Sequence, residues 1–533
     1  MPSSLSTPQT LLLLPLLFSI ISISISISIS ITHAFDFKYS TIDQIQQAFQ
    51  HNQLTSRQLV QYYLDRIQTL NPLLRAVIEV NPDALDQADN ADSERQTAQQ
   101  RQLSGLHGIP ILLKDSIGTK DRLNTTAGSL ALLGSVVPRD AGVVEKLRQS
   151  GAVILGKASL TEWANFRSRR APNGWCARSG QGRNPYVLTA DTCSSSSGSA
   201  IAAAADLATV TLGTETDGSI ICPSAMNSVV GIKPTVGLTS RSGVILISSR
   251  QDTIGPICRT VSDAVHVLDA IVGYDPRDAE ATRDASGYVP AGGYLQFLRA
   301  SGLEGKRLGI LRKGFFDAYP EGSIQALTFE QHFTTLREKG AILVDDLEIA
   351  NASTVVDFMN NGEFLVLPAE FKQSLNEYLS ELIYSPVRSL ADIIDFNNKH
   401  KREERMEEIG QSILLLAEST KGIGPVEERA IDRMNQLSMQ GLEKLMKENK
   451  LDGIVTPGAK IVSVLGIGGY PGISVPAGYA SDGVPFGICF AGLKGSEPTL
   501  IELAYAFEQA TNVRVPPSFK PSFMSVLDDI DSL

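Results

Sequence analysis

The sequence predicts an α/β protein, a single large domain with a central mixed β-sheet covered by helices. Three observations lead there. Short apolar runs of strand length alternate with helical segments, the pattern of a sheet covered on both faces. No stretch rich in Pro, Gly or Ser separates independent units, and no repeat of fixed period runs through the 533 residues. The composition, 43% apolar and 20% charged, is ordinary globular usage, so a core without staples is expected.

Residues 1–35 carry no charged side chain, and Leu11–Ile31 is apolar or alternates Ser with Ile before Thr32-His33-Ala34. Such a segment reads as a secretory signal over 1–34 with cleavage after Ala34, leaving no membrane span in the mature chain. A retained anchor over 11–31 is the alternative, since ~20 residues span a bilayer; the hydroxyl at every second position from Ser22 to Ser30 favours cleavage. The domain then begins at residue 35. Thr41–Phe49 and Thr55–Ile67 have helical spacing, with Thr41 and Thr55 placed as caps. A β-rich run, Arg75–Val80, and a polar helix over Pro82–Gln102 follow.

Next, Leu106–Lys114 is an apolar strand that delivers a lysine at its end. Asp140–Ser150 reads as a helix, Ala152–Gly156 as a buried strand, and Ser159–Phe166 as a further helix. Between Arg167 and Thr192 the chain is irregular, and a long loop of that kind is expected to wall a functional pocket. The stretch Asp191–Lys233 brings a run of four serines, small residues suited to a tightly packed helix, a strand at Ala208–Gly213, and a sharp turn at Asp217-Gly218-Ser219. Beyond Thr260 come a helix (Val261–Val272), strands at Arg307–Leu311 and Ala341–Val344, and a helix at Ile324–Lys339. A mostly helical insert at about 355–446 includes a charged helix over Asn397–Leu416, on which Lys399–Arg405 reads as a solvated face. Short strands at Gly453–Val455, Ile473–Val475 and Pro485–Phe490, then a helix at Thr499–Ala510, close the fold.

A formal charge of −11 argues against a nucleic-acid surface. Cys176, Cys193, Cys222, Cys258 and Cys489 have no CxxC spacing, so zinc and thioredoxin-type chemistry are not suggested; one pair could close in an oxidising compartment. Asn124 and Asn351 head acceptor sequons for chains that enter the secretory route. There is no G-x-S-x-G elbow, no phosphate loop and no cluster with metal-ligand spacing, and His107, the one histidine near a motif, reads as a structural loop residue. No cofactor is expected.

What remains is one lysine and two serine loops. An ammonium cannot accept a proton, so a basic lysine must titrate near ~7–8 rather than ~10.4, and burial behind Ile109–Leu113 is the available cause for Lys114. Ser219 follows a glycine where the backbone bends sharply, so that successive N–H groups of Thr216, Asp217 and Gly218 can converge on a developing oxyanion. Asp217 and Asp252 are candidate neighbours of the site, with a solvated or capping role equally open.

These residues, with Ser195-Ser196-Ser197-Gly198-Ser199 and Thr214–Ile220 ending at Pro223, resemble the amidase signature family, whose hydrolases use a Ser-Ser-Lys triad. Ser195 and Ser219 stand 24 positions apart, as in that family. The likeness runs from about Gly105 to Thr260 and resumes at Leu451–Gly492; within the family the chain looks closest to peptide amidases and their plant relatives. The resemblance implies the amidase signature fold, Ser219 as nucleophile, Ser195 as relay, Lys114 as base, and hydrolysis of a linear carbon–nitrogen amide bond in a small-molecule or peptide amide. Ser196, Ser197 and Ser199 read as loop hydrogen-bonders and a helix cap. In the family a cis peptide bond precedes the relay serine; Ser194 stands where it commonly has glycine and Thr192 where it has proline. An esterase or fatty-acyl amide hydrolase, and a binding protein without turnover, are the alternatives. Glutamine transamidation also uses this fold, but a secreted chain would not meet such a complex. Oligomeric state is left open.

Overall fold

Eleven strands form one mixed sheet. In chain order its members are β1 (Val77–Val80), β2 (Pro110–Lys114), β3 (Val153–Ala158), β6 (Val210–Glu215), β7 (Val230–Lys233), β8 (Thr253–Cys258), β9 (Arg307–Leu311), β10 (Ile342–Leu347), β11 (Gly453–Pro457), β12 (Gly472–Tyr479) and β13 (Pro485–Ala491); β4 (Trp175–Cys176) and β5 (Gly180–Gln181) make a separate hairpin. The spatial order is β1-β3-β2-β6-β8-β7-β12-β13-β11-β9-β10. The trio β3-β2-β6 and the trio β11-β9-β10 are parallel, whereas β6 to β11 through the middle pair antiparallel. The computed structural model describes residues 35–97 and 103–519. The expected leader over 1–34 and the end of the polar helix beyond Thr97 lie outside them. Among the described residues no helix is long and apolar enough to cross a membrane.

The central strands are buried on both faces: every residue of β2, β3, β6, β7 and β8 lies inside. This is why they read as continuous apolar or small-residue runs rather than as alternating ones. The two N-terminal helices, Ile42–Gln50 and Ser56–Leu74, start at Thr41 and Thr55 as expected. Each threonine hydroxyl accepts the N–H of the third residue on, and Gln44 and Gln58 return the bond to the cap.

The structure departs from the sequence expectation at several places. Leu106–Ile109 turns instead of extending, so β2 begins at Pro110. Ser159–Phe166 holds only a short tight turn at Glu162–Asn165, because Trp163 and Ala164 adopt left-handed conformations (φ 54° and 53°) and the buried Glu162 carboxylate binds Arg167 and the Ala177 N–H. The charged helix expected over Asn397–Leu416 breaks into Leu390–Lys399 and Ser412–Ser419. Between them Glu404, expected on a solvated face, is fully buried against Arg167. Finally, β7 and β8 have no counterpart in the sequence reading; Gly231, Gly255 and Pro256 interrupt the β-branched pattern by which a strand is recognised.

Residues 355–446 carry the helices Glu363–Glu381, Leu390–Lys399, Ser412–Ser419 and Pro425–Ser438. Apolar residues of the first three, including Leu367, Phe371, Leu375, Leu390, Ile393 and Leu414, pack into one cluster with Leu132, Trp163, Phe166, Ile245 and Ile247, while Met434 and Leu437 of the fourth join a second cluster with Leu465 and Tyr470. Fully burying each such side chain contributes about 1.5–3 kcal/mol. The insert is thereby fixed over the ends of the strands that carry the chemistry.

Candidate active site

Parallel pairing of β2 with β6 sets Leu113 opposite Leu212, so both strands run out at the same edge. β2 ends at Lys114; β6 ends at Glu215 and leads into the Thr216–Ser219 turn. The helix Ser197–Ala204 packs on β6 and brings Ser195 to that edge from its N-terminal side. Gly213 permits this approach: a Cβ there would stand 2.8 Å from Ser196 Oγ. Gly218 has φ +85°, a conformation that side chains other than glycine disfavour, and it gives the turn its sharpness.

Lys114 is fully buried, and its Nζ lies 2.7 Å from Ser195 Oγ, 2.8 Å from Thr214 Oγ1 and 3.1 Å from Thr214 O. Burial brings its pKa down from the usual lysine range to about 7, against the opposing pull of the Asp252 and Glu215 carboxylates. The two serine loops are tied together directly. The Ser196 N–H donates to Ser219 O (3.1 Å), and Cys193 is disulfide-bonded to Cys222. The Ser194–Ser195 peptide bond is cis. Cys176, Cys258 and Cys489 remain buried free thiols.

Three acids frame the turn. Glu215 Oε2 accepts the N–H groups of Ile220 (2.6 Å) and Ile221 (2.8 Å), bending the chain back just after Ser219. Asp252 takes the Thr216 hydroxyl at 2.5 Å and the Ile247 N–H at 2.8 Å, and burial lifts its pKa to about 6. Asp217 accepts from Ser463 Oγ at 3.0 Å; burial, followed by the neighbouring Glu363 carboxylate, pushes its carboxyl well above the usual range. Asp252 is therefore partnered and buried, whereas Asp217 is half-buried at the cavity wall with one carboxylate oxygen held by Ser463. Neither the Asp217 nor the Ser219 N–H finds an acceptor among the described residues.

The turn opens onto a cavity of about 460 Å³ lined by Ser194, Thr216, Asp217 and Ser219 on one side. Ser168, Arg169 and Asn173 of the irregular 167–192 loop form a second wall, as the sequence led one to expect, and Phe358, Leu367 and Ile413 of the insert form a third. The expected residues Lys114, Ser195, Thr216, Asp217, Gly218 and Ser219 thus converge on one edge of the sheet. Of the remaining serines, Ser196 and Ser199 hydrogen-bond Thr214 O and Leu212 O, and neither Ser196 nor Ser197 makes a side-chain cap. His107 is a buried structural residue held by Glu94.

Residues 58–465 match the Amidase family. The chain belongs to that family. It is 60% identical over 485 residues to a probable amidase of Arabidopsis thaliana, in an alignment that covers 91% of this chain and 92% of that protein. It is 38% identical over 509 residues to a putative amidase of Schizosaccharomyces pombe, with 90% and 86% coverage. Among solved structures, native peptide amidase from Stenotrophomonas maltophilia superposes with a TM-score of 0.84 at 43% identity, covering 91% of this chain and all of that one. The chain is therefore an amidase-family hydrolase of amide bonds with the amidase signature fold.

Sequence reasoning missed Thr214, Glu215 and Glu363. Thr214 and Glu215 were legible only as parts of a motif, since their roles come from where the strand end places them. Glu363 lies 144 residues beyond Ser219 and reaches the site through Gln251, whose Nε2 donates to it at 2.6 Å. Nothing local in the sequence marks it.

Proposed function

We propose that this amidase opens a linear amide through an acyl-enzyme at Ser219, with Lys114 and Ser195 relaying the proton. The observation that carries the reading is the set of partners around Lys114 Nζ. A neutral amine has two N–H groups and one lone pair; the two Thr214 oxygens accept the N–H groups, and the lone pair is left for the Ser195 hydroxyl. A pKa of about 7 leaves roughly half of the amine free at neutral pH.

In this mechanism Lys114 draws the proton of Ser195 as Ser195 takes that of Ser219, and Ser219 attacks the carbonyl carbon. The N–H groups of Asp217 and Ser219, which have no acceptor among the described residues, stabilise the oxyanion, while that of Gly218 is held by Glu215. The proton returns by the same path to the leaving nitrogen, and water activated by the same pair releases the acid. The likeness to a peptide amidase supports small amides and peptide amides as substrates. Ile220 and Ile221 are buried and apolar, which supports a pocket that does not select a carboxylate directly beside the scissile bond.

A fluorophosphonate probe should label the wild-type protein and not Ser219→Ala, and a panel of amides with matched esters should show turnover lost in the same variant. Labelling that persists in Ser219→Ala would sink the assignment of the nucleophile. Labelling without turnover on any amide would favour the binding-protein alternative.

Passage through the secretory route belongs to the same reading. The Cys193–Cys222 disulfide supports it. Asn351 is exposed, whereas the Asn124 side chain is engaged by Glu79 and the Gly134 N–H. Glycosidase treatment of the full-length chain expressed in plant cells should therefore remove a glycan at Asn351, and an unglycosylated chain with an intact leader would count against the route.

A further inference from the structure

Arg169 differs from Arg167 and Arg250, two cations beside the same cavity. On the same loop, Arg167 is buried between Glu162 (2.6 Å) and Glu404 (2.7 Å), and nearby Arg250 reaches Glu370 (3.2 Å). Arg169 pairs with no carboxylate among the described residues. Its guanidinium sits over the Phe364 ring (5.0 Å to the centroid) and its Nη2 approaches Met359 Sδ at 3.1 Å. Stacking on a ring and touching a thioether seat the group on the insert while leaving most of its five N–H donors unfilled.

It lines the same cavity as Ser219 and is exposed, so it belongs at the solvent end. Arg169 and Asp217 are the two ionisable side chains of that lining. The Asp217 carboxylate accepts from Ser463 Oγ (3.0 Å) and lies beside Glu363, and it makes no ion pair with Arg169. Phe166, Ile247, Phe358, Leu367 and Ile413 supply an apolar wall. In a protein with a formal charge of −11, an unpaired cation at the rim of a cavity with one apolar wall is a specific feature.

We propose that Arg169 forms an anion-binding subsite at the mouth of the cavity and that the preferred substrates are amides with an apolar body and a carboxylate distal to the scissile bond. The proposal rests on reading this cavity as the amide-hydrolysing site. It is compatible with the apolar Ile220 and Ile221, because the carboxylate is placed away from the reacting carbonyl.

The test uses 3-(4-carboxyphenyl)propanamide and 3-(4-methylphenyl)propanamide. Calorimetry on Ser219→Ala protein should show the carboxylate compound binding roughly three- to tenfold tighter, the range expected for a partly solvated guanidinium–carboxylate pair. The preference should shrink with added salt, vanish when Arg169→Gln is combined with Ser219→Ala, and survive in part in Arg169→Lys. Equal binding, no binding of either compound, or a preference that survives Arg169→Gln would overturn the subsite. A preference lost in Arg169→Gln, without hydrolysis of either compound by the wild-type protein, would leave the subsite standing and count against the acyl-enzyme reading instead.

Discussion

Lys114 and Lys157 lie on the neighbouring parallel strands β2 and β3, and both are fully buried. Burial lowers both pKa values, to about 7 and about 8. The register pairs Lys157 with Leu113 and Lys114 with Ala158, so the two side chains project from opposite faces of the sheet. Lys114 meets the serine loops. Lys157 meets Ile117 O at 2.5 Å and Thr125 Oγ1 at 2.8 Å, with the Asp115 carboxylate as the strongest opposing pull on its pKa. Desolvation thus makes either lysine a possible base, and what decides the role is the group that the amine faces. One has a hydroxyl two residues from a disulfide-clamped cavity wall; the other is a strut.

Exchanging each lysine for the near-isosteric methionine tests this most directly. Lys114→Met should reduce turnover on the order of 10³–10⁴-fold, the loss expected when a general base acting as part of a unit is removed. Lys157→Met should keep turnover within about tenfold. Steady-state hydrolysis of one amide by both variants checks the contrast, and losses of similar size would break it.

The clamp on the Lys114 side can be removed separately. Cys193 and Cys222 are 29 residues apart in sequence, and on the chain-entropy account closing a loop of that length stabilises by roughly 3–4 kcal/mol. The double change Cys193→Ser and Cys222→Ser should lower denaturant stability by about that amount. Activity should fall less, since the Ser196–Ser219 backbone bond and the bonds from Asn227 to Thr192 O (3.0 Å) and Pro223 O (2.8 Å) still join the loops. Unchanged stability with abolished activity would mean that the disulfide orders the reacting groups alone.

On the strut side the main effect falls on folding. Lys157→Met leaves Ile117 O and Thr125 unpaired and the buried Asp115 short of one compensating charge. A loss of roughly 2–4 kcal/mol is expected, against little change for Lys114→Met, whose native amine already bears the cost of desolvation. Urea unfolding of the two variants at pH 7 measures the difference, and a more stable Lys157→Met protein would reverse the assignment.

The comparison also explains what could be read in advance. Lys114 and Lys157 both end or nearly end apolar runs, and periodicity treats them alike; only the family motif singled out Lys114. The serine loops were legible because Gly218 and the serine run carry their geometry in the local sequence. Long-range partners were not. Glu363, the Asp252–Thr216 bond and the burial of Glu404 depend on where the insert lands, and a chain with five cysteines does not name its own pair. β7 and β8 escaped because strands held between other strands need neither alternation nor β-branched residues throughout.

The smallest effect is the most discriminating. If the free amine of Lys114 is the base, kcat/KM should fall tenfold for each pH unit below about 7 and level off above it, because protonation removes the lone pair. Lys157→Met should leave that midpoint in place; a midpoint that moved with Lys157 would identify the wrong lysine as the base. Asp252 raises the Lys114 pKa through its negative charge, so Asp252→Asn should move the acid limb to lower pH, by a fraction of a unit to about one unit. The same titration appears in stability with a fixed sign. The folded pKa of Lys114 lies below its unfolded value, so between about 7 and the ordinary lysine value of ~10.4 the unfolded chain holds a proton that the native protein lacks. Lys114 therefore makes stability rise with pH through that window, and below it the full cost of burying the charge is present. Lys114→Met should flatten this rise, and Lys157→Met should leave its lower part, from pH 7 to 8, unchanged.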